Sequence, residues 1–94
     1  MRKRKVLNDE DLIKSIQKVT SMINYRLSQK GDYGYIGPHE TYGIIAEEFA
    51  ELMDSLRENN SQNFYRELVD IAVACVIGMA SQLPADTKAD GKRP

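Results

Sequence analysis

The segment from Phe64 to Ile77 constrains the fold most, because apolar residues occupy almost every side of the helix that it predicts. On a helical wheel the apolar residues of one side are Phe64, Leu68, Ile71 and Cys75, and those of the other are Val69, Val73, Val76 and Ile77. A helix that is apolar nearly all round must be covered on both sides. Two further helices from a 94-residue chain can hardly do this. We therefore predict that a second subunit covers part of this helix.

Apolar residues recur at steps of three and four along the chain, which predicts three helices and no strand. The first helix is expected to begin near Asn8 and to end near Lys30. The glycine-rich segment 31–37, GDYGYIG, is expected to be a loop, and Pro38 suits the first turn of the next helix. The second helix is predicted over about His39–Arg57 and the third over about Gln62–Leu83. The predicted fold class is all-α, a short helical bundle completed by oligomerisation.

The second helix has one apolar stripe, whose members are predicted to face inward: Ile45, Phe49, Leu52 and Leu56. Asn60 or Ser61 is expected to cap the third helix. Along that helix Ala74 and Gly78 continue the face of Glu67, where small side chains could either leave space for a ligand or allow close helix packing.

Composition divides the chain into one domain and two polar ends. Residues 1–8 contain Arg2, Lys3, Arg4 and Lys5 and are predicted to be a basic, flexible N-terminus. Residues 9–83 form the predicted all-α domain, and residues 84–94 are a predicted flexible tail because they include no apolar residue larger than alanine. The formal net charge of −1 does not indicate a nucleic acid polymer as a partner.

Cys75 is the single cysteine, so no disulfide can form within the chain, and a reducing compartment is expected. The basic start is followed at once by acidic residues, unlike a signal peptide. The longest apolar stretch, 68–80, is too short to span a bilayer and contains Asp70. We predict a cytoplasmic protein without membrane insertion.

Two pairs of acidic residues are the most informative chemical feature. Glu48 and Glu51 are three residues apart on the second helix, which places them about 60° apart on one face. Glu67 and Asp70 repeat this spacing on the third helix. Because a short connection joins the two helices, they are expected to pack as antiparallel neighbours, which would bring the four carboxylates together.

Such a cluster is unfavourable unless a cation neutralises it, because like charges in a partly buried site repel and lose hydration. All candidate ligands are hard oxygens, and the only histidine, His39, lies outside any metal-ligand spacing. This favours Mg²⁺, or Mn²⁺, over zinc and iron. Mg²⁺ often takes further ligands from substrate phosphates, so a di- or triphosphate substrate is indicated. A solvated acidic face with salt bridges is the alternative interpretation.

The sequence EEFAE at 47–51, followed after 15 residues by ELVD at 67–70, resembles the EExxE…ExxD signature of MazG-like pyrophosphohydrolases. The stretch HETYGIIAEEFAEL is also similar to the approach to this motif in small phage and bacterial members. The resemblance implies an all-α fold, a homodimer or homotetramer, Mg²⁺ dependence, and cleavage of a nucleoside triphosphate to the monophosphate and pyrophosphate. It assigns metal coordination to Glu48, Glu51, Glu67 and Asp70. Glu47 would be a ligand or orient water, so the expected catalytic residues are Glu47 and Glu48.

Two alternatives to this activity stay open at the level of the sequence. One is a non-catalytic helical oligomer that binds a nucleotide, a metal or a protein partner. The other keeps the chemistry but acts on phosphoribosyl-ATP or a modified nucleotide. The sequence also does not choose among the basic residues that could hold phosphate, which are Arg26, Lys30, Arg66, Lys88, Lys92 and Arg93.

Overall fold

The computed structural model describes residues 3–83, and within this range the chain is all-helical, as predicted. The helices are α1 (Asp9–Lys30), α2 (Pro38–Arg57) and α3 (Ser61–Ser81). The predicted tail 84–94 and the first two residues of the basic N-terminus lie outside the described residues. None of the three helices combines the length and the apolar character that a membrane crossing requires.

Local sequence signals explain where the helices begin. The Asn8 side chain accepts a hydrogen bond from the Asp11 backbone N–H at 2.8 Å, and the Asn60 side chain accepts one from the Asn63 backbone N–H at 3.1 Å. Pro38 occupies the first turn of α2. These starts agree with the prediction within one residue, and the end of α1 at Lys30 agrees as well.

Helix α3 lies in the middle, and α1 and α2 pack on it rather than on each other. Helix α2 runs antiparallel to α3, since Thr41 meets Gly78 at one end and Glu48 meets Glu67 further along. Helix α1 runs parallel to α3, because Lys18 lies beside Arg66 and Leu27 beside Ala80. The first half of α1 therefore extends beyond the start of α3.

The core of a single chain is small. Its buried apolar residues are Val69, Val73, Ala74 and Ile77, all on α3, and the half-buried residues packed against them are Val19, Met22, Ile23 and Tyr35. No residue of α1 is fully buried. Leu12, Ile13 and Ile16 are exposed because they lie on the part of α1 that extends past α3.

The predicted inward face of α2 is partly wrong. Ile45 and Leu52 are half-buried, but Phe49 and Leu56 are each 55% exposed, whereas the neighbouring Ser55 is 4% exposed. The face of α2 that packs on α3 is thus rotated away from the apolar stripe. The physical reason is that α3 is the single helix that packs on α2 among residues 3–83, so α3 covers one flank of the stripe and leaves the other open.

The small residues of α3 serve close packing. Ala74 is fully buried, and a methyl group added at Gly78 would lie 2.6 Å from Thr41 Cγ2. Of the two interpretations of Ala74 and Gly78, the structure supports helix packing and leaves no space for a ligand there.

Candidate metal centre

Three acidic residues meet where α2 crosses α3. One carboxylate oxygen each from Glu48, Glu67 and Asp70 lies within 4.8 Å of the other two, and all three side chains are half-buried. The antiparallel packing explains this meeting, because Glu48 lies seven residues after Thr41 on α2 while Asp70 lies eight residues before Gly78 on α3. Glu48 and Asp70 therefore lie at similar distances along their helices from the Thr41–Gly78 contact, and their carboxylates lie at the same height along the helix pair.

The remaining predicted site residues lie further out. Glu51 is exposed and falls outside the group of three, but its charge is close enough to raise the pKa values of Glu48 and Glu67. Glu47 is exposed and is not a member of the group. The structure therefore brings together three of the four predicted metal ligands, with the fourth beside them, and places Glu47 at the solvent edge.

The electrostatics of the group are unfavourable in the absence of a cation. Burial, followed by the charges of Glu51, Asp70 and Glu48, raises the pKa of Glu67 from 4.5 to about 7. Burial and the charges of Asp70 and Glu51 also raise the pKa of Glu48, while the nearby Arg26 guanidinium lowers it. Near neutral pH the cluster thus retains protons that isolated carboxylates would have released.

Two oxygens of the cluster lack the partners that buried polar atoms normally have. Glu48 Oε1 and Glu67 Oε1 are buried, and neither has a hydrogen-bond partner within residues 3–83. A buried carboxylate oxygen without a donor is costly, and either a proton shared between Glu48 and Glu67 or a bound cation would satisfy it. The donor set consists of carboxylates alone, which suits Mg²⁺ or Mn²⁺. Glu48, Glu67 and Asp70 thus fit a divalent metal ion.

Basic residues border the cluster on the side of α1. Arg26 is half-buried near Glu48, and a groove of about 600 Å³ between α1 and the first half of α3 is lined by Lys18, Met22, Arg66, Val69 and Asp70, among others. Asp70 belongs both to this groove and to the carboxylate group. The groove therefore connects the acidic cluster with two cationic side chains and an apolar floor.

The structure separates the basic residues that the sequence left equivalent. Arg26 and Arg66 border the candidate site, whereas Lys88, Lys92 and Arg93 lie outside the described residues. A signal for Arg26 was present in the sequence, because it follows Met22 and Ile23 by one helical turn and both of these pack on the core. No comparable signal marks Arg66.

Comparison of the chain with models of protein families, with curated proteins and with solved structures gave no match.

Proposed function

We propose that this chain is a Mg²⁺-dependent nucleoside triphosphate pyrophosphohydrolase, which converts a nucleoside triphosphate and water to the monophosphate and pyrophosphate. The observation that carries the proposal is the convergence of Glu48, Glu67 and Asp70 within 4.8 Å, with buried oxygens that lack donors. The EExxE…ExxD spacing of the same residues supports it independently, through the resemblance to MazG-like enzymes. Cytoplasmic location is part of this proposal.

In the proposed site, Glu48, Glu67 and Asp70 would hold the metal ion, and Glu51 would complete the set from the solvent side. When bound, the ion would neutralise charge on the phosphate oxygens and on the departing pyrophosphate. Glu47, at the exposed edge of the site, is suited to orient the attacking water. A carboxylate of the acidic cluster accepts the proton that the water loses. Attack at the α-phosphorus breaks the bond to the bridging oxygen and releases pyrophosphate.

The groove beside Asp70 is the proposed position of the rest of the substrate. Lys18 and Arg66 offer positive charge to phosphate oxygens, and Met22 and Val69 offer an apolar surface to the base. Arg26 is placed to hold a phosphate beside Glu48. The α1–α3 groove and the α2–α3 cluster would then act on one nucleotide.

The test is to identify the products formed from a panel of ribo- and deoxynucleoside triphosphates, with phosphoribosyl-ATP included, in the presence of Mg²⁺. The proposal expects the monophosphate and pyrophosphate from at least one substrate, with no reaction in EDTA. A nucleoside diphosphate and inorganic phosphate as products would contradict cleavage between the α- and β-phosphates. No turnover of any substrate would favour the non-catalytic alternative.

A further inference from the structure

The groove between α1 and α3 continues past the residues that the proposed function uses. Toward the start of α3 it is also lined by Ser61, Gln62 and Tyr65. From Gln62 to Asp70 the groove residues of α3 lie within about 140° on one face of the helix. The volume of about 600 Å³ is in the range of sites for small molecules. The groove therefore has room for a nucleoside beside the acidic cluster.

The packing of the chain determines in which direction a bound nucleotide can extend from Asp70. Toward the end of α3, Ile23 of α1 packs on the buried cluster that includes Val73 and Ile77, so apolar side chains fill the space between the two helices. Toward the start of α3 the groove is open as far as Gln62. A nucleotide whose phosphates lie beside Asp70 therefore extends its sugar and base toward the start of α3.

The order of side chains along the open part of the groove matches the order of groups in a nucleotide. Arg66 lies one helical turn before Asp70, about 6 Å along the axis, and its guanidinium suits a phosphate oxygen. The ring of Tyr65 and the amide of Gln62 follow, and Gln62 is about 12 Å from Asp70 along the axis. Aromatic rings stack on nucleobases, and side-chain amides pair with base edges. The stacking and hydrogen-bonding groups thus lie where the base is expected.

Local hydrogen bonds distinguish Gln62 from the two other side-chain amides at the N-cap and in the first turn of α3. The Asn60 side chain accepts from the Asn63 backbone N–H, and the Asn63 side chain accepts from Arg66 Nη1 at 3.0 Å. Gln62 instead is exposed and lines the groove. Tyr65, which is 53% exposed, lies close to one turn further along the same face. These two side chains are therefore placed to meet a bound molecule.

We propose that Gln62 and Tyr65 recognise the base of the nucleotide, Tyr65 by stacking on its face and Gln62 by hydrogen bonds to its edge. An amide has both donor and acceptor atoms, so its pairing depends on which base is bound. The two side chains are thus specificity-determining residues, and the substrate class is a nucleotide rather than an inorganic polyphosphate. This inference rests on the proposed function, which places the phosphates beside Asp70.

Binding of the monophosphate products tests the base site without turnover. Isothermal titration calorimetry with Mg²⁺ compares ribo- and deoxynucleoside monophosphates with ribose 5-phosphate and deoxyribose 5-phosphate, which lack a base. Wild type is expected to bind the sugar phosphates about tenfold more weakly than the best monophosphate, because they cannot stack. Tyr65→Ala and Gln62→Leu are each expected to weaken monophosphate binding about tenfold.

Tyr25→Ala and Gln29→Leu are the matched controls for these two variants. Both residues are exposed on α1 and lie outside the groove, so both variants are expected to bind monophosphates as wild type does. Three results would overturn the base site: no monophosphate binding by wild type, equal affinity for monophosphates and sugar phosphates, or unchanged affinity in Tyr65→Ala and Gln62→Leu.

Gln62→Glu tests whether the amide reads the base or only supports the groove. The change keeps the length of the side chain and replaces the amino group, which is a donor, with an acceptor oxygen. Monophosphates of uracil and guanine, which present a carbonyl oxygen, are expected to lose about tenfold in affinity relative to those of adenine and cytosine, which present an amino group. A structural role would weaken the binding of all four bases equally, and that result would overturn the proposal.

The same variants separate this inference from the proposed hydrolysis. Monophosphate binding that depends on Gln62 and Tyr65, without turnover of any triphosphate, would support the base site and contradict the hydrolytic function. Turnover of triphosphates with the same ratios of kcat/KM between bases in wild type and in Gln62→Glu would support the hydrolytic function and overturn the base site.

Discussion

At the scale of residues, the protonation of Glu67 determines how the cluster behaves. Its pKa is raised to about 7 because burial and three neighbouring carboxylates disfavour the charged form. Glu67 is thus the side chain of the cluster whose charged form a bound cation would stabilise most. A proton and a metal ion compete for the same oxygens.

The pH dependence of stability follows from this shift. Between pH 4.5 and about 7 the folded chain binds more protons at Glu67 than the unfolded chain does, so the free energy of unfolding falls as the pH rises through this range. Thermal melting in EDTA at pH 5 and pH 8 is expected to show this decrease, and Mg²⁺ is expected to raise the melting temperature most above pH 7.

Glu67→Gln removes the titrating carboxyl group. This variant is expected to lose less stability than wild type between pH 5 and pH 8, with the fold intact. Asp54→Asn is the matched control, because Asp54 is an exposed acid on α2 whose ion pair among the described residues is with Arg57 at the surface. Equal pH dependence in wild type and in Glu67→Gln would contradict the assignment of the shift to Glu67.

At the scale of helices, the site depends on how α2 packs along α3, and the contact between Thr41 and Gly78 sets this packing at one end. Gly78 and Thr41 are in contact there, and the Thr41 hydroxyl is held by a hydrogen bond to the Gly37 carbonyl at 2.9 Å. A β-branched side chain in this position cannot turn aside easily. Thr41 lies seven residues before Glu48 on α2, so its contact with Gly78 determines which part of α3 Glu48 faces.

Gly78→Ala is expected to destabilise the protein by about 1–3 kcal/mol through overpacking, partly offset by about 1 kcal/mol of helix propensity. Thr41→Ser removes the Cγ2 atom and keeps the hydroxyl, so the double variant is expected to recover the lost stability. Urea denaturation of the two single variants and the double variant measures this coupling. Additive effects would contradict the contact.

Helix ends could be predicted because they depend on adjacent residues: Asn8, Pro38 and Asn60 act within one turn. The meeting of Glu48 with Glu67 and Asp70 could also be anticipated, since spacing and a short connection are local properties. The distances of Glu47 and Glu51 could not, because they depend on how α2 is rotated on α3. The same rotation exposes Phe49 and Leu56. An apolar stripe predicts that both side chains are buried, but it does not distinguish burial within one chain from burial between two chains.

At the scale of the whole molecule, a core of four buried apolar residues is small for the 81 residues described. Apolar side chains left exposed on all three helices contribute little to the stability of one chain. The fold and the oligomerisation predicted from the sequence should therefore be coupled energetically.

This coupling predicts that the melting temperature rises with protein concentration, since association stabilises only the folded chain. Leu68→Glu places a charge on an exposed apolar residue of α3 and is expected to melt at a lower temperature that no longer depends on concentration. Circular dichroism over a hundredfold range of concentration measures both. A concentration-independent melting temperature in wild type would show that one chain folds without a partner.

If the carboxylates of α2 and α3 form a catalytic metal site, turnover must depend on Glu48. Pyrophosphate release from the best substrate, with Mg²⁺ and with EDTA, compared among wild type, Glu48→Gln and Asp54→Asn, tests this most directly. We expect Mg²⁺-dependent release by wild type and Asp54→Asn, and a loss of at least a hundredfold in Glu48→Gln with unchanged helicity. Release that persists in Glu48→Gln, or that EDTA does not abolish, would contradict it.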